Sequence, residues 1–350
     1  MSLASLIRTG TKVWLDGVAP DDIRKNHKLG VTGATSNPSI VSGIIEKGGF
    51  DKKIQELIDR RLDNEAIAWG LDDELVKAAQ EVFLPVWEKT RADDGYVSFE
   101  LDPLIEDNGR SMMPHQERVR HYGELGRRWS AGHKNRMIKV PATAAGLDAL
   151  EDLAAAGVTL NVTLMFTERQ YRLASEAIWR GAQRRHDGLQ DFKSVYSIFI
   201  SRLDVYTEQR FPGLSRPAQG QVGLVTAKRV WRLNQEFWKD KPLRLKQEIV
   251  FASTGVKNKS EPPDKYVEAL AGSDIQTNPP ATNEAVQHLA KSYSRQIDHL
   301  PPAAILDEID QKLDMIELEK TLLDEGVKKF VEPQKALLSL IARKRLSIPA

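Results

Sequence analysis

Eight short apolar or β-branched runs are spaced along the chain with helical stretches between them, and this alternation limits the possible folds more than any other feature. The runs are KVWLDG from Lys12, GVTGATSNP from Gly30, YVSFELDP from Tyr96, RMIKVPAT from Arg136, LNVTLMF from Leu160, VYSIFISR from Val195, EIVFAST from Glu248 and DIQTNPP from Asp274. Between them lie stretches with helical spacing, such as IQELIDRRL from Ile54, ALEDLAAAG from Ala149 and RQYRLASEAIWRGAQRR from Arg169. Strands that alternate with helices call for a parallel sheet with right-handed crossovers, and eight repeats favour closure into a (β/α)8 TIM barrel. Residues 1–350 read as one such barrel with extra helices. Residues 61–96 make a longer helical interval than the repeat needs. Residues 203–247 are expected to form a helical insertion on the outside, with a Pro/Gly-rich piece, RFPGLSRPAQG, ahead of VTAKRVWRLNQEFWK. Residues 306–350 read as C-terminal helices packing on the barrel that could lie over its mouth.

Composition removes several partner classes. Fifty Lys and Arg against 49 Asp and Glu give a net charge of +1, so no broad field draws the chain to nucleic acid or an anionic membrane. The basic clusters at Arg127 and Arg343 read as solvated helix faces. There is no cysteine, which excludes disulfides, thiolate nucleophiles and cysteine-ligated zinc and fits a reducing compartment. The opening MSLASLIRTGTKVWLD has no long apolar core, and nothing approaches the ~18 apolar residues of a spanning helix, so the expected location is the cytoplasm. Neither a P-loop nor GxGxxG occurs, and the seven histidines lack ligand spacing, so metal, nucleotide and dinucleotide readings have no support.

A barrel enzyme carries its reactive side chains at the C-terminal ends of several strands. Here Asp16 ends the first run, Asn37 the second, Glu100 the third and Arg202 the sixth, while Lys139 lies inside the fourth and Thr163 inside the fifth. Lys139 stands in MIKVP, where alternation puts it on one face with Met137 and Pro141, facing the barrel interior. Desolvation there would favour the neutral amine, a nucleophile able to form a Schiff base with a carbonyl. The competing reading is a lysine paired with a carboxylate inside the barrel. Glu100 and Asp16 suit either a structural partner of that lysine or a proton-transfer group. Arg202 and Lys257, the latter in the loop STGVKN, suit a phosphate or carboxylate.

Together WLDG, GATSNPSI, SFELDP, MIKVPATAAGLDAL, LNVTLMFT, SIFISRLD, FASTGVKN, TNPPAT and DEGVKKF resemble the motifs of the transaldolase family, in that family's order and over nearly the whole chain. The wording of SFELDP and STGVKN is most similar to its longer-chain bacterial and plant branch. The resemblance implies a barrel of the class I aldolase kind, with no metal and no organic cofactor. It implies that Lys139 forms the imine with C2 of a ketose phosphate such as sedoheptulose 7-phosphate or fructose 6-phosphate. Glu100 would move protons through a water also held by Thr163, and Asp16 would take the C4 hydroxyl proton as the C3–C4 bond breaks. The dihydroxyacetone unit would then pass to glyceraldehyde 3-phosphate or erythrose 4-phosphate, as in the non-oxidative pentose phosphate pathway. Asn37, Asn161 and Ser197 match positions that bind the dihydroxyacetone hydroxyls. Arg202 would hold the phosphate with Ser253 and Lys257, in a loop where the family often carries an arginine. Sugar phosphates are the implied partners, and the chain is expected to be a monomer or homodimer.

Two other functions compete. Related aldolases release free dihydroxyacetone but tend to carry a tyrosine where Phe199 stands and a glutamine where Glu100 stands. An apolar ring offers the enamine no proton donor, so Phe199 favours transfer. A sugar-phosphate-binding barrel without chemistry would keep the fold but not need every reactive position filled.

Overall fold

The structure, a computed structural model, describes residues 2–107, 109 and 113–347. All eight expected runs form strands: β1 (Lys12–Asp16), β2 (Gly33–Thr35), β3 (Val97–Glu100), β4 (Arg136–Pro141), β5 (Leu160–Met165), β6 (Ser194–Phe199), β7 (Glu248–Ala252) and β8 (Ile275–Asn278). They pair in parallel in chain order, and β1 also pairs with β8, which closes the TIM barrel.

The helices run α1 (Ser2–Arg8), α2 (Pro20–His27), α3 (Pro38–Glu46), α4 (Asp51–Asp59) and α5 (Asn64–Lys89) through the first third of the chain. After β3 come a 3-10 turn (Pro103–Glu106), α6 (His115–Ser130), α7 (Ala144–Ala155), α8 (Glu168–Gln183), α9 (Ile200–Arg210) and α10 (Val222–Trp238). The last group is α11 (Lys265–Ala269), α12 (Pro280–His288), α13 (Ala303–Lys312) and α14 (Met315–Ser347). Residues 203–247 thus hold most of α9, an irregular stretch and α10, which packs on α8, α9 and β7. Among the described residues no helix is long and apolar enough to cross a membrane.

Alternation along the strands sorts side chains into two layers. Met137 points inward and joins Trp14, Tyr96, Val195, Val250 and Ile275 in the lower barrel interior. Its neighbours Ile138 and Val140 point outward to Leu150, Leu153 and Ile178 on the surrounding helices. At the barrel's N-terminal end, Lys12 pairs with Glu248 at 2.8 Å and Asp93 at 3.0 Å, and fully buried Lys193 also reaches Glu248. The buried Lys193 and Glu248 and the half-buried Lys12 and Asp93 satisfy one another, which is the condition for taking such charges out of water. The lower interior is therefore filled by packing and ion pairs, with a smaller cavity outside them lined by Lys12, Glu248 and Asp274, and the larger cavity lies at the other end.

The helices start close to the strand ends because side chains cap them. Asn37 accepts from the Ile40 N–H to start α3, Thr143 from Gly146 to start α7, and Thr167 from Gln170 to start α8. The α7–α8 contact is tight at Gly181, where an added Cβ would sit 2.1 Å from the Glu151 carbonyl oxygen and 2.8 Å from Ala154 Cβ. Both obstacles are rigid. Gly181→Ala should lower the unfolding free energy by ~1–3 kcal/mol, the usual cost of overpacking. A denaturant midpoint equal to that of the wild type would show that the two helices separate freely.

Candidate active site

A cavity of about 980 Å³ opens at the C-terminal end of the strands. Its floor is set by strand register. Glu100 of β3 stands opposite Lys139 of β4, which stands opposite Asn161 of β5, so three polar side chains share one level across adjacent strands. Lys139 Nζ donates to Glu100 Oε2 at 2.9 Å and to the Ser36 carbonyl at 2.9 Å, and both side chains are 4% exposed. Lys139 also lines the cavity.

This corrects one expectation. Lys139 faces the interior as alternation requires, but it is not isolated among apolar groups, because the β3–β4 register delivers a carboxylate to it. Such a pair can pass one proton from nitrogen to oxygen and leave the neutral amine that attack on a carbonyl needs. Burial pushes the Glu100 carboxyl up to about 6, with Lys139 opposing the rise and Asp16 adding to it. Glu100 is thus ionised at neutral pH but close enough to its titration range to take up a proton and return it.

Asp16 lies deep in the barrel mouth and keeps part of its surface open to the cavity. Burial raises its carboxyl above the ordinary aspartate range, while Lys139, a 3.1 Å hydrogen bond from Thr35, Arg202 and Lys257 hold it back. Thr35 is itself linked to Thr277 at 2.8 Å. The Oγ1 of Thr163 is buried with no hydrogen-bond partner among the described residues. Thr163 lines the cavity, so its hydroxyl is an orphan next to the space a ligand would fill.

The phosphate candidates converge on the opposite wall. α9 begins directly after β6, so Arg202 falls in its first turn and leans over Phe199, with the guanidinium 5.2 Å from the ring centroid. Its buried Nη1 has no hydrogen-bond partner among the described residues. Burial makes Arg202 a weaker base than usual, with Glu325, Asp16 and Glu100 opposing. Ser253, at a strained φ of +56°, follows β7, and its hydroxyl lies 2.8 Å from that of Ser201. Lys257 lines the rim with Lys329 of α14, whose charged form is disfavoured by burial and by Arg202 and Lys257, while Glu325 opposes.

Nine of the eleven residues picked from the sequence line this cavity: Asp16, Asn37, Lys139, Thr163, Ser197, Phe199, Arg202, Ser253 and Lys257. The other two lie behind its wall. Glu100 touches the cavity through Lys139. Asn161 is fully buried, and its amide donates to Ser98 at 2.8 Å and accepts from Ser197 at 2.7 Å. It positions Ser197, which lines the cavity. Asn37 spends its side-chain oxygen capping α3, so its Nδ2 is the group it can offer a ligand. Among the described residues no group of three His, Cys, Asp or Glu could hold a metal ion.

The sequence reading expected C-terminal helices on the barrel but named no site residue in α14. Leu322, Glu325, Lys329 and Phe330 all line the cavity, and the Phe330 ring lies 5.6 Å from Lys139 Nζ. The helix is tied down by Glu319 to Thr167 and Arg169, by the Lys329 carbonyl to Ser39, and by Lys335 to Asp107 at 2.9 Å. DEGVKKF had been matched as a motif, but helical spacing alone gave no sign that its phenylalanine reaches the floor.

A closed barrel with a buried Lys–Glu pair beneath a cationic wall is the setting in which the comparisons with known proteins fall. The model of the family described as Transaldolase/Fructose-6-phosphate aldolase matches residues 13–341. The chain belongs to that family. It is 30% identical to the transaldolase of Mycobacterium tuberculosis, over 96% of this chain and 95% of that protein. It is 29% identical to transaldolase 2 of Streptomyces avermitilis, over 94% and 93% of the two chains, and 29% identical to the transaldolase of Thermobifida fusca, over 97% of each. The transaldolases it matches along nearly their whole length are enzymes of the transferase class, and this chain is an enzyme of that family.

Proposed function

We propose that the chain transfers a dihydroxyacetone unit from a ketose phosphate to an aldose phosphate through a Schiff base on Lys139. The observation that carries this reading is the ion pair of Lys139 and Glu100 at the floor of a cavity that also exposes Asp16. Glu100 accepts the lysine proton, and the free amine attacks C2 of sedoheptulose 7-phosphate or fructose 6-phosphate. Glu100 then returns a proton to the carbinolamine oxygen, which leaves as water next to the Thr163 hydroxyl. Asp16 takes the C4 hydroxyl proton, the C3–C4 bond breaks, and its electrons remain as an enamine on Lys139. The enamine carbon then attacks the aldehyde of glyceraldehyde 3-phosphate or erythrose 4-phosphate. Asn37 and Ser197, the latter held by Asn161, would meet the dihydroxyacetone hydroxyls.

Borohydride reduction with fructose 6-phosphate followed by peptide mapping tests the reading: a covalent mass gain at Lys139 is expected, and an unmodified chain would overturn it.

Arg202 with Ser253 and Lys257 would hold the phosphate. The unpartnered guanidinium nitrogen supports this, since a buried donor without an acceptor is costly unless a ligand supplies one. Arg202→Ala should raise KM for fructose 6-phosphate about tenfold or more, with little change for unphosphorylated donors. Equal losses on both donors would assign Arg202 to the fold of α9 instead.

An aldolase that releases dihydroxyacetone is the nearest alternative. Phe199 lines the cavity and packs on Phe166 at 5.9 Å, an apolar wall that favours transfer. Free dihydroxyacetone appearing from fructose 6-phosphate at the rate of transfer, with no acceptor present, would reverse that preference.

A further inference from the structure

We propose that Phe330 of α14 decides whether the three-carbon unit on Lys139 is transferred or lost to water. The inference rests on the imine reading of Lys139.

The enamine has two fates that differ only in what its carbon meets. In transfer, the C=C electron pair forms a carbon–carbon bond to the aldehyde carbon of the acceptor, and the aldehyde oxygen takes up a proton. In loss, the same pair takes a proton from water and becomes a C–H bond, leaving an iminium. The hydroxide left behind adds to the iminium carbon. The C–N bond then breaks as the hydroxyl proton moves to nitrogen, and dihydroxyacetone leaves with the amine restored. The acceptor arrives only after the first aldehyde has gone, so the enamine must wait, and its lifetime depends on keeping water away from that carbon.

The structure supplies one apolar group positioned to do this from above. The Phe330 ring is 5% exposed, lines the cavity and lies 5.6 Å from Lys139 Nζ. It belongs to an apolar cluster at the barrel mouth with Leu164, Phe166, Phe199, Leu203 and Leu322. Leu164 joins that cluster because β5 carries a register shift there, with Leu164 at φ +54°. Phe199, Leu322 and Phe330 carry this cluster to the surface of the cavity that Lys139 lines. Phe199 forms one part, from β6, and α14, outside the eight repeats, contributes Leu322 and Phe330, of which Phe330 is the one whose ring stands over the Lys139 nitrogen. The same ring presents its face to the nitrogen, which suits the iminium cation that precedes the enamine.

The test measures free dihydroxyacetone from fructose 6-phosphate without acceptor, and transfer to erythrose 4-phosphate, in the wild type, Phe330→Ala and Phe330→Leu. Borohydride trapping at Lys139 is followed in all three. Phe330→Ala should still give the trapped adduct while its ratio of release to transfer rises roughly tenfold, about the rate equivalent of one lost shielding contact. Phe330→Leu, which keeps most of the apolar volume, should fall between and covers the case in which the alanine variant does not fold. An unchanged ratio in a variant that still traps the adduct would overturn the role of Phe330 and leave the imine reading standing. No adduct in the wild type would overturn both.

Discussion

Lys139→Ala should yield no borohydride-trapped adduct with fructose 6-phosphate and should lower the transfer rate by more than about 10⁴-fold, the scale on which losing a covalent nucleophile is felt. The substitution removes the one amine on the cavity floor among the described residues, and Lys257, Lys328 and Lys329 stand at its rim or on its roof. The protein should still fold. Truncating one partner of a buried ion pair ordinarily leaves a stranded charge, but the Glu100 carboxyl is already pushed up to about 6 with Lys139 present. Without the opposing lysine it rises further and accepts a proton, which removes most of the penalty. A folded Lys139→Ala variant that retains transfer activity or is labelled by borohydride at another lysine would place the chemistry elsewhere.

Glu100→Gln should slow turnover by roughly 10²-fold or more while leaving sugar binding near its wild-type strength, because a proton-transfer group is lost and the shape is kept. Its pH profile is the sharper measurement. In the wild type the carboxylate must be ionised to take the lysine proton, and it ionises at about 6, so kcat/KM should fall about tenfold per pH unit on the acid side of that value. Above it the profile should level. Glu100→Gln cannot titrate, so its acid limb should disappear. A variant that keeps an acid limb near 6 would move the assignment to another carboxylate, with Asp16 the first candidate, since burial raises it too.

The barrel was legible because its strands are short apolar runs with clear breaks, and each expected run holds one strand. Lys139 was legible for a related reason: a charge in the middle of MIKVP stands out against alternation, and alternation says which way it points. Its partner was not fixed by alternation. Glu100 meets Lys139 through the register between two strands, a tertiary fact with no trace in either strand alone, so Glu100 and Asp16 stood as equal candidate partners and a desolvated, unpaired amine as the leading reading. The amide of Asn161 was likewise readable as a ligand group, yet neighbouring serines on β3 and β6 occupy it. Phe330 was hidden for a third reason. It sits in a helix of ordinary amphipathic spacing, where an apolar residue reads as core, and only the packing of α14 across the barrel carries it to the lysine.

The position of α14 along the chain has a temporal side. All eight strands precede it, with β8 ending at Asn278 and α14 starting at Met315. During synthesis the N-terminal parts of a chain leave the ribosome and begin to fold first. The cylinder that holds the lysine can therefore assemble while its ceiling is still being translated, so a nascent chain acquires the buried amine before the helix that covers it.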